Sequence, residues 1–240
     1  MNLFAPEYPR NEYGWIKYPS DAEYRKHMFP AEVNQHPAKA NVYLVQSIIE
    51  YVSEEGQTIM DVMAGTGTIL VGAMIGRKVI CIEISEKFHS MQVGALEIME
   101  RVAPGISEMV SLVNMPCQNY LPIPNLADHI VFSPQYAGIM KTTGTDKWNS
   151  EMAYDFAEYS RSPLNLGTMS EFLWTQEMER VYKKCYDTIV SGGTMTLIIK
   201  DHMSQGQRIP LTQKAIDSSV RVGFIYNPDE HWKWAAPGMA

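Results

Sequence analysis

The sequence predicts an α/β fold in which a mostly parallel sheet carries helices on both faces. Short apolar segments with strand character alternate with segments of helical periodicity along the chain. A glycine-containing loop, with Gly65 and Gly67, joins one of these strands to the helix that follows it. The length of 240 residues suits one domain of this class with small insertions.

Composition favours a globular protein with a packed core. Hydrophobic residues make up 45% of the chain and charged residues 20%, which argues against wholesale disorder. No apolar run approaches the roughly 20 residues that a membrane span needs, and residues 1–7 lack the features of a secretory signal. Cys81, Cys117 and Cys185 are isolated and odd in number. We therefore expect a cytoplasmic protein with reduced cysteines and no association with membranes.

The net charge of −7 argues against a broad basic face. Phosphate binding depends on Lys and Arg that displace counterions, so an acidic chain is a poor general ligand for nucleic acid. A local basic groove remains compatible with this charge. If the protein binds nucleic acid, the charge predicts weak and salt-dependent binding, or help from a partner.

The first half of the chain divides into an arm and a series of strands and helices. Residues 1–35 are rich in Pro, Tyr, Asn and charge, and they predict an irregular N-terminal arm with one short helix near 21–28. The main domain is expected to occupy 36–240. Apolar spacing predicts helices at 41–53, 68–75 and 86–102, and strands at 58–63, 78–84, 111–113 and 129–132.

The second half contains an expected insertion. Residues 137–170 are polar with few periodic hydrophobes, which predicts a long functional loop. A helix is expected at 170–189, and Ser191-Gly192-Gly193 should turn the chain into a strand at 194–200. A last helix at 212–222 and a last strand at 224–226 complete the predicted domain.

The segment Asp61-Val62-Met63-Ala64-Gly65-Thr66-Gly67-Thr68 lies where the first long strand passes into a helix. Gly65 and Gly67 allow a tight turn and a close approach of the backbone to a ligand. The carboxylate of Asp61 is suited to an ammonium group. Glu83, which ends the next strand, is suited to the two hydroxyls of a ribose.

Other glycine-loop ligands fit less well. A dinucleotide fingerprint needs a third small residue where this chain has Leu70, and no Gly-Lys-Ser/Thr follows to make a phosphate-binding loop. Without a pyrophosphate to hold, the loop fits a nucleoside that carries a charged amino-acid tail. An ordinary helix-entry turn with Glu83 as a surface acid stays open as an alternative.

A second motif, Ser133-Pro134-Gln135-Tyr136, follows the strand at 129–132. Together with the glycine loop, it resembles the N6-adenine/N4-cytosine amino-methyltransferase family, whose tetrad is (Asp/Asn/Ser)-Pro-Pro-(Tyr/Phe). The resemblance covers roughly residues 30–226. It implies a Rossmann-like class I methyltransferase fold with a methyltransferase domain at 36–240, and S-adenosylmethionine as the cofactor.

The resemblance also implies roles for individual residues. Ser133 and the carbonyl of Pro134 would accept hydrogen bonds from the target amine, and Tyr136 would stack on a base that is flipped out or single-stranded. Gln135 completes the catalytic tetrad, and no metal is required. The cofactor would be bound by the upstream segment His36-Pro37-Ala38-Lys39-Ala40-Asn41, the glycine loop, the second strand end and the tetrad, through Ala38, Lys39, Asn41, Asp61, Ala64, Gly65, Thr66, Gly67, Thr68, Glu83 and Ser133.

Two departures from the family pattern bear on activity and specificity. Gln135 stands where the family usually has a second proline, which fixes φ near −65°. The family often has an acid after the third strand to bind the adenine ring, and here only Asn114 or Gln118 could substitute. No separate recognition domain of ordinary size is present, which leaves the insertion and its Lys141, Lys147, Tyr154, Tyr159 and Arg161 as candidate nucleic-acid contacts.

We therefore expect an S-adenosylmethionine-dependent DNA amino-methyltransferase that acts on cytosine N4 or adenine N6. A restriction–modification context is typical of the family. Two alternatives stay open, namely an RNA base amino-methyltransferase and a catalytically inactive subunit that binds the cofactor or a partner. A homodimer or a complex with a partner subunit is compatible with either.

Overall fold

The structure, a computed structural model, describes residues 4–35, 39–135, 162–204 and 207–235. Its helices are α1 (Ala22–Met28), α2 (Val42–Val52), α3 (Val71–Met74), α4 (Glu86–Val102), α5 (Cys117–Tyr120), α6 (Glu171–Tyr186) and α7 (Leu211–Arg221). Its strands are β1 (Ile16–Lys17), β2 (Thr58–Asp61), β3 (Lys78–Glu83), β4 (Val110–Asn114), β5 (Ala127–Phe132), β6 (Ile189–Leu197), β7 (His202–Ser204), β8 (Gln207–Ile209) and β9 (Trp234–Ala235). Within these ranges no helix combines the length and the apolar character needed to cross a bilayer.

A five-stranded sheet in the order β4-β3-β2-β5-β6 forms the centre of the protein. All of its pairings are parallel, as the alternation of strands and helices predicts. The strand order reverses direction between β2 and β5, and this is the position at which open parallel sheets bind ligands. The fold is therefore Rossmann-like.

The sheet separates two hydrophobic cores because successive strand residues point to opposite faces. Along β2, Ile59 packs into one core and Met60 into the other, and both are fully buried. The first core is covered by α2, α4 and the N-terminal arm, whereas the second is covered by α6 and α7. Helices therefore lie on both faces, as predicted.

The N-terminal arm is part of the first core. Phe4, Ile16, Phe29 and Val33 are each no more than 3% exposed within it. The predicted short helix is present as α1. Its Arg25, which is also buried, bonds to Asp21, to the Ala40 carbonyl at 2.6 Å and to Thr68 Oγ1 at 3.2 Å. The arm is therefore fastened to the segment that precedes α2 and to the glycine loop.

Two predictions for the C-terminal part were wrong. Residues 224–226 form no strand, because Ile225 is 96% exposed and the segment pairs with no described strand. The β6 strand begins at Ile189 rather than after the glycines, and its pairing with β5 is interrupted by a bulge between Ile189 and Thr194. Gly192, with φ of +84°, supplies the conformation that this bulge requires.

The bulge yields a prediction with a matched control. A Cβ at Gly193 would collide with the carbonyl oxygen of Asp128 and with Ile189, whereas a Cβ at Gly192 would meet open space. We expect Gly193→Ala to lower the free energy of unfolding by roughly 2–3 kcal/mol. Gly192→Ala should lower it by only about 1 kcal/mol, through its positive φ. Urea denaturation measures both, and equal losses would contradict this account of the bulge.

Candidate active site

One cavity opens at the carboxyl edge of the sheet, between the loop that follows β2 and the turn that follows β5. It brings together residues that lie far apart in the sequence. The predicted catalytic and cofactor-binding residues that line this cavity are Lys39, Asp61, Ala64, Gly65, Thr66, Thr68, Glu83, Ser133, Pro134 and Gln135.

The pairing of β2 with β5 explains why these segments meet. Ile59 is opposite His129 and Met60 is opposite Ile130, so Asp61 is level with Val131. Strands lie about 4.8 Å apart and rise about 3.3 Å per residue, which places the Cα atoms of Asp61 and Ser133 roughly 8 Å apart. The last residue of one strand and the first residue after the other therefore share one cleft.

The loop after β2 is a tight turn stabilised by backbone hydrogen bonds. Gly65 and Gly67 have φ of +53° and +83°, which favour glycine at both positions. The Gly67 amide donates to the Ala64 carbonyl at 2.8 Å, and the Ala64 amide donates to Ile82 of β3 at 3.0 Å. Gly67 itself does not line the cavity, because it faces the side chains of Gln92 and Leu70.

Glu83 fixes the shape of this loop from the neighbouring strand. It is 3% exposed, and its two carboxylate oxygens accept hydrogen bonds from the backbone amides of Gly65 at 2.7 Å and Ser85 at 2.8 Å. The sequence alternative of a simple surface acid is therefore wrong. The carboxylate lies in the cavity wall and holds the loop at the same time.

Asp61 is a carboxylate in an unfavourable environment. Burial is the main cause that raises its pKa, to about 8; the nearby Glu83 raises it further, and the hydrogen bond from the Met63 amide opposes the shift. Among the described residues, Asp61 forms no salt bridge. A ligand cation bound in the cavity would stabilise the ionised carboxylate of Asp61 and lower its pKa.

The turn after β5 forms the opposite wall. Pro134 is buried, while Ser133 and Gln135 are partly exposed towards the cavity. The Gln135 carbonyl accepts a hydrogen bond of 2.6 Å from the indole N–H of Trp174 on α6. Tyr136, the fourth residue of the tetrad, lies outside the described residues, as do the candidate nucleic-acid contacts of the insertion.

The upstream segment contributes two cavity residues, Lys39 and Ala40. Lys39 lines the cavity, and its pKa is lowered by burial and by the nearby Arg25. Asn41 does not line it, because its side chain caps α2 by accepting from the amides of Tyr43 and Leu44 and donates to the Pro19 carbonyl. Ala38 lies outside the described residues.

The structure adds residues to which the sequence analysis gave no role. Gln92 of α4 is fully buried and donates to the Gly65 carbonyl at 2.7 Å. It is a polar residue within the apolar stripe of its helix, and this was a usable signal. Of the two expected substitutes for an acid after the third strand, Gln118 lines the cavity and donates to the Leu164 carbonyl at 3.1 Å, whereas Asn114 does not line it. Further wall residues are Pro116, Cys117, Leu164, Asn165 and Leu166.

Comparison with known families bears on the first part of this site. A family model described as DNA methylase, of the N6/N4 type, matches residues 8–93, a segment that contains most of the arm, the glycine loop and Glu83. Over this part of the chain the protein is similar to the N6/N4 amino-methyltransferase family. It is a methyltransferase, and its cofactor is S-adenosylmethionine. The match ends before Ser133 and therefore does not include the tetrad.

Other comparisons are distant. No curated protein sequence matches the chain significantly. Among solved structures, it is similar to precorrin 8W decarboxylase of Methanobacterium thermoautotrophicum (16% identity, 79% of this chain and 75% of the other, TM-score 0.48). It is also similar to the cyclase SpnF (19%, 76% and 57%, 0.49) and to an O-methyltransferase of Thermotoga maritima (14%, 79% and 55%, 0.44). The chain thus spans little more than half the length of the last two, and likeness at this level specifies no activity.

The cavity fits the cofactor of this methyltransferase. Asp61 offers a half-buried carboxylate for the amino-acid ammonium group, and Lys39 offers a cation for its carboxylate. The glycine loop permits close approach, while Ile84, Pro116 and Cys117 provide an apolar wall for an aromatic ring.

The raised pKa of Asp61 yields a stability prediction. Between the unfolded pKa of about 3.9 and the folded value of about 8, the folded chain holds more protons than the unfolded chain, so stability falls as pH rises. Asp61→Asn removes this ionisation and keeps the acceptor for Met63. At pH 8 without cofactor we expect the variant to be more stable by roughly 1–3 kcal/mol, a value discounted for solvent screening. Urea denaturation at pH 5 and pH 8 measures the gain, which should grow with pH; a gain that shrinks would contradict the prediction.

Proposed function

We propose that the protein transfers a methyl group from S-adenosylmethionine to an exocyclic amino group of a DNA base, either cytosine N4 or adenine N6. One observation carries the proposal. The Ser133-Pro134-Gln135 turn and the Asp61–Thr68 loop line the same cavity, so an amine held by the first would face a cofactor held by the second. The family description as a DNA methylase supports DNA as the substrate.

The cofactor wall is held in place by the fold. Glu83 and Gln92 hold the backbone of Gly65 by its amide and by its carbonyl, so the loop has its shape before any ligand arrives. Asp61 and Lys39 then offer charges of opposite sign to the two ends of an amino-acid group. Binding in one orientation converts a bimolecular reaction into one between fixed groups.

The Ser133 turn supplies the chemistry that an amino group needs. The lone pair of an exocyclic amine is delocalised into its ring, and hydrogen bonds from both amine hydrogens to fixed acceptors direct that lone pair towards an electrophile. Ser133 Oγ and the Pro134 carbonyl are acceptors at the cavity wall. When bound, S-adenosylmethionine supplies an electrophilic methyl group on a sulfonium sulfur. Asp61 and Lys39 would hold its amino-acid end, and Ser133 with the Pro134 carbonyl would orient the amine towards that methyl group.

The test of this proposal uses the full chain, labelled S-adenosylmethionine and unmethylated DNA, in single-stranded and double-stranded form. Mass analysis of the nucleosides should reveal N4-methylcytosine or N6-methyladenine. Total RNA is the parallel substrate, and methylation of RNA alone would overturn the choice of DNA. Cofactor binding by calorimetry without methylation of either nucleic acid would overturn the proposed reaction and identify a binding subunit.

Two substitutions should separate binding from transfer. Asp61→Ala is expected to weaken S-adenosylmethionine binding at least tenfold, because the ammonium group loses its partner. Tyr136→Ala should leave that affinity unchanged and slow methylation roughly 10–100-fold, the value of one lost base-stacking contact. Tyr13→Ala is the matched control, since Tyr13 is 73% exposed and distant in sequence from the tetrad. Full methylation by both site variants would refute the site.

A further inference from the structure

The turn that follows β5 is held from outside by one side chain of α6. The indole N–H of Trp174 donates to the carbonyl oxygen of Gln135 at 2.6 Å. Trp174 is 2% exposed, and the two residues are 39 positions apart in the chain. An indole N–H can only donate a hydrogen bond, and a backbone carbonyl that is shielded from water needs a donor. The bond therefore satisfies both groups.

The position of this hydrogen bond within the turn is informative. The Gln135 carbonyl belongs to the peptide bond that leads into Tyr136. A hydrogen bond to that oxygen fixes the orientation of a planar unit, because the atoms of a peptide group lie close to one plane. The bond therefore restrains the end of the turn that begins with Ser133 and buried Pro134.

Gln135 is the position in this turn that needs such a restraint. The ring of Pro134 fixes its own φ, whereas Gln135 has a free φ. Within the described residues, the Trp174 bond is the one hydrogen bond to the Gln135 backbone. A free torsion between Pro134 and Tyr136 would let the turn adopt several orientations, and the bond from Trp174 selects one of them.

Trp174 can act as a fixed point because its own surroundings are packed. It lies in the first turn of α6, where its amide donates to the Ser170 carbonyl at 2.8 Å and the Ser170 side chain caps the helix. On the same helix, Met178 and Tyr182 are each 1% exposed and belong to the same core. Moving the indole would require the displacement of a buried helix face.

We propose that Trp174 is a positioning residue for methyl transfer. Its indole N–H holds the Gln135 carbonyl, and it thereby restrains the turn in which Ser133 and the Pro134 carbonyl receive the target amine. This inference rests on the proposed function. Trp174 does not line the cavity, so its proposed role involves no contact with the substrate or the cofactor.

The first test is Trp174→Phe, which removes the N–H and keeps an aromatic ring. We expect kcat for methylation of the unmethylated DNA to fall at least tenfold, while the KM for DNA and the calorimetric affinity for S-adenosylmethionine change by less than threefold. Trp232→Phe is the matched control, because Trp232 stacks on Phe4 against the first core and does not line the cavity. It should retain the wild-type kcat.

A second variant covers the case in which Trp174→Phe does not fold. Benzothienylalanine at position 174 keeps the bicyclic shape and replaces the N–H with sulfur, so only the donor is lost. The same tenfold loss of kcat is expected. Unchanged kcat in either folded variant would overturn the proposal, because packing alone would then account for Trp174.

A double-mutant cycle separates positioning from general stability. Gln135→Pro restrains φ at 135 and keeps the carbonyl, so it should raise kcat in the Trp174→Phe background relative to its effect in the wild type. Equal effects in the two backgrounds would overturn the positioning role. If the wild-type chain methylates neither DNA nor RNA, the proposed function fails and this inference fails with it; an active wild type with an equally active Trp174→Phe refutes this inference alone.

Discussion

The adjacency of β2 and β5 in an all-parallel sheet is the constraint on which the site depends. Parallel neighbours end at the same edge, so the loop after β2 and the turn after β5 open into one cleft although about 70 residues separate them. The intervening β3 and β4 lie on the other side of β2, and they contribute Glu83 and the wall near Cys117. The strand ends that carry Asp61, Glu83 and Ser133 take their places from this strand order.

Buried polar contacts prepare the cleft and leave one charge unmatched. Glu83 and Gln92 satisfy the amide and the carbonyl of Gly65 within the fold, which holds the glycine loop in one shape. Asp61 differs, because burial raises its pKa and no described cation offsets its charge. If Asp61 binds the cationic group of a ligand, the unpaired carboxylate lowers the stability of the free protein and raises its affinity for that ligand. Such a compromise is common at functional sites.

The N-terminal arm shows where sequence reasoning fell short. Its polar, proline-rich composition predicts an irregular segment, and its short helix was predicted correctly. The composition does not reveal that Phe4, Ile16 and Val33 complete the core against α2 and α4. Nor does it reveal that Arg25 reaches Thr68 across 43 positions. These contacts are long-range, and local periodicity contains no information on them. The same limit explains the missing strand at 224–226, where the pattern was right for a strand but no partner is present among the described residues.

The sequence alone determined the alternation of strands and helices, the glycine loop and the polar turn at Ser133, because each follows from a local pattern of residue types. The alternation in turn predicts the parallel character of the sheet. Tertiary structure alone decided that Glu83 and Gln92 hold the loop and that Trp174 bonds to Gln135. Each of these contacts joins segments that are distant in the sequence, so it depends on how the strands and helices pack together. That packing is a property of the whole chain, and no single segment specifies it.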